Sequence, residues 1–213
     1  MPTGEWLDGF MAAGLFALLG GRAGFVWVNS AYFLERPSQI WDIGQGGFFF
    51  HTALLGGLLG LWAWSWWHKR PFLPTADTFA PALLITGVFG WAACWLEGCA
   101  YGQETFLGLF SADLPDSYSI FAVRYQTQLA GILLTLIGLP LVWPRFTKPG
   151  TAFWTAVFWL NVSRIPITLF RGDPMPQWGG VRADLILETA FALFALTAVL
   201  LLQYKSSSNR VTR

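Results

Sequence analysis

Five ionisable side chains stand where charge is expensive. Arg22, His51, Arg124, Arg164 and Glu188 fall inside or at the rim of stretches that are otherwise apolar. In a bilayer core such a group costs about 2.5 kcal/mol or more unless it is paired or hydrated. Arginine suits an anionic headgroup, because its planar fork matches phosphate oxygens and stays charged when partly buried. Imidazole titrates in the range that a general base needs. Packed together, the helices would bring these groups to one cavity open to the outer leaflet. The structural alternative is that Arg22 and Arg124 hydrogen-bond backbone carbonyls or pair with Glu188, and that His51 is a satisfied core histidine.

The elements that must position these groups are long and hydrophobic. A bilayer core of about 30 Å is crossed by about 20 mostly apolar residues in a helix. Six such segments are expected, over 9–33, 46–67, 75–96, 123–143, 150–170 and 181–204. The fold class is therefore all-α, a polytopic helical bundle in one transmembrane domain over 1–213, with a frayed polar tail over 205–213. Lys69, Arg70, Arg145, Lys148, Lys205, Arg210 and Arg213 flank one side. Acidic residues dominate the opposite loops, including Glu97, Glu104, Asp113 and Asp116, so the positive-inside rule puts both termini in the cytoplasm. The acidic loop from Glu97 to Ile120 is then external. The opening MPTGEWLDGF lacks a basic n-region, so the first apolar segment is read as retained.

Composition excludes several function classes. Of 213 residues, 54% are hydrophobic and 12% charged, against about 25% charged in soluble domains. Thirteen Trp and nineteen Phe suit the headgroup interface. A net charge of +1 with no basic patch argues against nucleic acid. Cys94 and Cys99 are too few for a zinc site, and no metal or other cofactor is expected. Five apart, they bridge only if the helix ends near Gly98; packed free thiols are the expectation. Gly56-x-x-x-Gly60 is a small-residue helix-packing pattern.

Short segments along the chain then form an ordered series: Gly20-Gly21-Arg22-Ala23-Gly24, Trp41-Asp42 leading to Gly46-Gly47-Phe48-Phe49-Phe50-His51, Asp77-Thr78-Phe79-Ala80-Pro81, Gly98-Cys99-Ala100-Tyr101-Gly102, Gln126-Thr127-Gln128-Leu129, and Ser163-Arg164 through Phe170-Arg171-Gly172-Asp173. In order and spacing this series resembles the prolipoprotein diacylglyceryl transferase family. The resemblance implies transfer of a diacylglyceryl group from phosphatidylglycerol to the thiol of a lipobox cysteine on a secreted preprotein, at a prokaryotic plasma membrane. It implies that His51 is the base for that thiol and that Arg164 takes part in catalysis at the phosphoglycerol. Arg22, Arg124 and Arg171 are implied as headgroup ligands, with Gly102 holding the outer loop close.

The chain departs from the family pattern at identifiable places. Trp91 stands for an arginine, Cys94 for an asparagine, Cys99 for an acidic residue, Thr168 for a glutamate, and Ala130-Gly131 for a Tyr-Glu pair. The family's first transmembrane helix is not matched. Glu97 is a possible compensating acid, or a solvated loop carboxylate. These losses motivate a second hypothesis, a catalytically degenerate lipid-binding subunit with partners in a membrane complex. A transporter fits less well, because the inner halves of the spans are almost wholly apolar and a through-pathway needs polar residues across the membrane.

Overall fold

Without water to take up backbone hydrogen bonds, an apolar chain in a bilayer satisfies them within helices, and helices dominate this chain. The computed structural model describes residues 3–142 and 148–211. Arg145, Arg213 and the side chains of Lys205 and Arg210, four of the expected flanking bases, lie outside that description. Contacts divide the chain into two compact units, Met1–Ala76 and Asp77–Arg213.

In the first unit, α1 (Thr3–Val28) is followed by the short α2 (Ser30–Glu35), two 3₁₀ turns over Pro37–Trp41 and Ile43–Gln45, α3 (Phe50–Trp67) and the opening residues of α4 (Phe72–Glu97). The expected first span runs from Thr3 to Val28 rather than from 9 to 33, and the second begins at Phe50 rather than at 46. The second start is delayed because Gly46 and Gly47 both have positive φ, which a helix does not accept. α1 and α3 pack antiparallel along small residues. A Cβ on Gly20 would lie 2.5 Å from the Thr52 carbonyl oxygen, and one on Gly56 would lie 2.2 Å from that of Phe16. The Gly56-x-x-x-Gly60 pattern is thus a packing seam, where missing side chains let backbones approach.

In the second unit, α4 leads to a hairpin of β1 (Ser111–Pro115) and β2 (Phe121–Tyr125), then α5 (Thr127–Ile137), α6 (Leu139–Val142), α7 (Thr151–Phe170), a small hairpin of β3 (Gln177–Trp178) and β4 (Val181–Arg182), and α8 (Ala183–Val211). The span expected over 123–143 is corrected here. Its first residues are strand, paired antiparallel with Ala112 opposite Arg124, and the helix starts only at Thr127. A Cβ on Gly138, where α5 ends, would lie 2.2 Å from the Trp159 ring. α8 continues to Val211, past the start of the expected frayed tail.

Asp77 explains how α7 begins. Its carboxylate accepts the backbone N–H groups of Gly150 at 2.6 Å and Phe153 at 2.9 Å, a cap delivered from another helix to donors that lack an intrahelical partner. Below it, Ala80, Leu84, Ala152, Ala156 and Leu160 form a buried apolar cluster.

Among the described residues, four helices, α1, α4, α7 and α8 through Tyr204, are long and apolar enough to cross a membrane. Their outward side chains agree: Leu15, Leu18, Phe89, Leu193, Phe194 and Leu201 are all more than half exposed. So large an apolar surface is stable only against lipid. This is an all-α membrane protein.

Candidate functional site

His51 is the second residue of α3 and is buried, with its ring edge-on to Phe50 at 5.1 Å. The chain reaches it through residues 39–47, and Arg22 holds that segment. Arg22 Nε donates to the Ile40 carbonyl at 2.9 Å, Nη2 to that of Gln39 at 2.6 Å, and Nη1 to those of Gly46 at 2.7 Å and Gly47 at 3.3 Å. Gly46, at φ 74° and ψ −147°, occupies backbone space open essentially to glycine alone. A side chain on Gly47 would strike Phe25 and Arg22. The double glycine is therefore what lets the loop close over the guanidinium. Arg22 thus directs its donors to backbone carbonyls.

In the second unit, α4 ends in a Schellman motif. Gly98 adopts φ +66°, and Cys99 N–H donates to the Cys94 carbonyl at 2.9 Å. The two cysteines occupy the positions that this motif brings together, and they form a disulfide. The expectation of packed free thiols is overturned, because the helix does end at Gly98 and Cys99 is exposed beside it. Glu97 is exposed at the same helix end.

The loop that follows is held by backbone bonds. Thr127 Oγ1 donates to the Ala100 carbonyl at 2.7 Å and Gln128 Nε2 to that of Cys99 at 3.0 Å, which accounts for the Gln-Thr-Gln segment. Gly172 N–H donates to the Tyr101 carbonyl at 2.8 Å, and Gln103 N–H to that of Phe170 at 2.8 Å. Gly102 lies between these contacts, where a Cβ would come within 2.2 Å of the Tyr125 carbonyl oxygen. Arg124 backs the loop. Its Nη2 lies 3.2 Å from Glu104 Oε1 and 3.4 Å from Asp116 Oδ2, and its Cζ sits 4.9 Å from the Tyr101 ring centre. Asp116 is held below the usual carboxylate range by the backbone N–H of Ile120, then that of Tyr118 and the Arg124 charge. Burial, reinforced by Asp116 and Asp173, pushes the Tyr101 phenol up.

Arg164 sits in α7, pointing to α8. Its Nε lies 3.2 Å from Glu188 Oε1, and Thr168 Oγ1 donates to the same oxygen at 2.9 Å. One face of the guanidinium lies over Trp91, with Cζ 4.7 Å from the ring centre. Gly131 makes room for that indole, since a Cβ there would lie 2.2 Å from it. At the end of α7, Arg171 pairs with Asp173, through Nε to Oδ1 at 2.8 Å, and with Asp184 at 3.1 Å. Burial opposes the Arg171 charge, but the hydrogen bond and charge of Asp173, helped by Asp184, hold its proton above the ordinary guanidinium value. Arg182 closes the network against Asp173 and Asp184.

A model of the prolipoprotein diacylglyceryl transferase family matches residues 2–202, nearly the whole chain. The chain belongs to the prolipoprotein diacylglyceryl transferase family. Proteins named phosphatidylglycerol–prolipoprotein diacylglyceryl transferase resemble it. The one from Ruegeria pomeroyi is 32% identical over 175 residues, covering 74% of this chain and 58% of that protein. That from Clostridium tetani is 26% identical, covering 74% and 64%. That from Nitrobacter winogradskyi is 28% identical over 205 residues, covering 91% and 70%. The chain thus spans about 58% to 70% of the length of these relatives.

Set beside the geometry, the prolipoprotein diacylglyceryl transferase segments have local physical roles. Arg22 and the double glycine shape the approach to His51, and the Gly98–Gly102 segment is stapled between α5 and the end of α7. Within the second unit, Arg164 and Arg171 face Glu188 and Asp184, one turn apart on α8. Sequence reasoning named Glu188 as an expensive intramembrane acid but did not give it to Arg164. The signal was available in the spacing of Asp184 and Glu188, which puts both carboxylates on one helix face. Tyr101 and Thr168 left no comparable signal of their contacts, because the partners, Arg124 and Glu188, are distant in sequence.

Proposed function

We propose that this protein transfers a diacylglyceryl group from phosphatidylglycerol to the cysteine thiol of a lipobox preprotein. The observation that carries the reading is Arg164, a guanidinium inside a membrane helix paired with Glu188 and stacked on Trp91, in a chain of this family. The thiol proton passes to His51. The thiolate then forms a carbon–sulfur bond to the glyceryl carbon as the carbon–oxygen bond to phosphate breaks, and glycerol phosphate leaves with the bonding pair. A thiolate attacks far faster than a thiol, and a fixed cation stabilises the charge growing on the departing phosphate. Arg164 supplies that cation. In this reading Arg22, Arg124 and Arg171 bind the headgroup or hold the loops that receive it, each within its own unit, and Gly102 keeps the outer loop close. Glu97, exposed at the helix end, is retained as the compensating acid of that rim.

The reading places the chain in a prokaryotic plasma membrane as one transmembrane domain with six crossings and both termini in the cytoplasm. Arg70 paired to Glu5 at 2.6 Å supports a common side for the start of α1 and the α3–α4 turn. The Cys94–Cys99 disulfide supports an oxidising, external side for the opposite end of α4. The test is transfer to a lipobox peptide by protein reconstituted in phosphatidylglycerol vesicles. His51→Gln and Arg164→Ala are each expected to abolish transfer while the protein stays folded; undiminished transfer in both would refute the reading.

A further inference from the structure

We propose that the turn over 106–110, between α4 and the β1–β2 hairpin, dips its apolar side chains into the bilayer and so anchors the outer loop to lipid. This contact is independent of the transfer reading and adds a membrane surface outside the helices.

The turn is inverted with respect to a loop in water. Phe106 is 93% exposed, Leu107 79%, Leu109 89% and Phe110 73%. Polar groups are instead gathered inward on Ser111, which is buried. Its hydroxyl accepts the Gly108 N–H at 2.7 Å and donates to the Phe106 carbonyl at 2.9 Å, and its own N–H donates to the Gly108 carbonyl at 3.3 Å. Four large apolar side chains in five residues make a patch that water does not favour. Backbone groups near the hydrocarbon need partners within the protein, and Ser111 supplies them on the inner side of the turn.

The anchorage of the turn selects lipid as its cover. Gln103 N–H donates to the Phe170 carbonyl at 2.8 Å, at the last residue of α7, a helix long and apolar enough to cross the membrane. Three residues of chain reach about 10 Å at most, so Phe106 follows close to that helix end. On the other side, the Phe110 carbonyl accepts the Gln126 N–H at 3.0 Å, directly before α5. The outward surface of α7 finishes on Leu169 and Phe170, both about half exposed, and the turn continues that lipid-facing surface. Headgroups add about 5–8 Å to each side of the hydrocarbon core, a depth at which aromatic and leucine side chains meet the acyl boundary. The turn carries no charge, and its nearest charged neighbours in sequence, Glu104 and Asp113, are acidic. Attraction to the bilayer is therefore apolar, and neutral lipid suffices.

The experiment places one nitroxide at a time on the full-length protein, at Leu107→Cys or Leu109→Cys, with the Cys94–Cys99 disulfide intact. Nanodiscs holding one copy each prevent a second copy from shielding the label. Collision with oxygen, which concentrates in lipid, is compared with collision with a water-soluble nickel chelate. Leu193→Cys on α8 calibrates lipid, and Asp113→Cys calibrates water. Both turn labels should shift from nickel-dominated to oxygen-dominated collision, in pure phosphatidylcholine and equally in mixtures with phosphatidylglycerol. Adding Phe106→Glu and Phe110→Glu should return the Leu107 label to the Asp113 value with the melting temperature kept; if that variant melts lower, the labels in the otherwise native chain decide. Labels that read as water in every lipid overturn the proposal. Shielding that requires phosphatidylglycerol would mean headgroup charge rather than insertion, and shielding that appears only with an added lipobox peptide would mean a peptide-docking surface; either result overturns it too. Transfer enters none of these readouts, so failure of the transfer reading leaves them intact.

Discussion

Arg22, buried, and Arg164, partly buried, are two guanidiniums in membrane helices solved in opposite ways. Arg22 donates to four backbone carbonyls, those of Gln39, Ile40, Gly46 and Gly47. Arg164 meets a carboxylate at Nε and an indole on its face. The first arrangement turns the arginine into a loop brace, since every carbonyl it satisfies belongs to the segment that leads into α3. The second sets the direction of the arginine from its stem. The same residue type thus has two settings, one with donors ending on backbone and one with its stem against a side chain, and in the proposed transfer only the second serves the chemistry.

The sharpest way to break this contrast is the lysine series. Arg164→Lys keeps the charge but loses the Nε contact and the flat stack, so transfer to a lipobox peptide should fall by roughly a hundredfold, as when a fixed donor to developing charge is removed. Thermal unfolding should move little by comparison. Arg22→Lys should show the reverse pattern. A lysine cannot reach carbonyls in three directions, and leaving three of them poorly satisfied costs about 3 kcal/mol, read as a lower melting temperature with the lipid KM conserved in the folded fraction. If both variants lose activity with equal loss of stability, the distinction drawn between them collapses.

Smaller effects sharpen the same contrast at the rim of the second unit. Reducing Cys94–Cys99 should cost about 2 kcal/mol by the chain-entropy relation for so short a loop. Chemical denaturation with and without reductant measures it; equal midpoints would mean that the Schellman turn holds without its staple. The smallest effect concerns Asp116, which lies outside the membrane spans. Its folded value is depressed, so the stability it contributes is fully present above its unfolded value near 3.8 and is lost as pH falls through the lower folded value. Hydrogen exchange of the Tyr118 and Ile120 amides, its two backbone donors, should accelerate relative to an Asp116→Asn variant only in that acid window.

Hydrophobic run length announces α1, α4, α7 and α8, because a bilayer imposes one requirement, about 20 apolar residues, that a window of sequence displays. The motif residues were equally visible, since glycines at close approaches and charges in apolar runs stand out by type. The ends of elements were harder. Residues 123–125 adjoin an apolar run and are read with it as helix, but they pair with β1, since Gln126 precedes the helix and the strand partner lies across a turn. The disulfide was hidden for a related reason: residues five apart diverge on a helix, and only the left-handed turn at Gly98 brings them together.

Partnership is the quantity that a linear chain does not carry. Arg22, Arg164 and Glu188 could each be picked out as costly from their own surroundings, because solvation cost is local to the residue. Which of them pair was settled by folding, since Arg164 and Glu188 stand 24 positions apart and the chain between them has to turn through a hairpin before Coulomb attraction can act. Thus residue types disclosed that charge must be compensated in the membrane, while the crossing of α7 and α8 selected the compensating group.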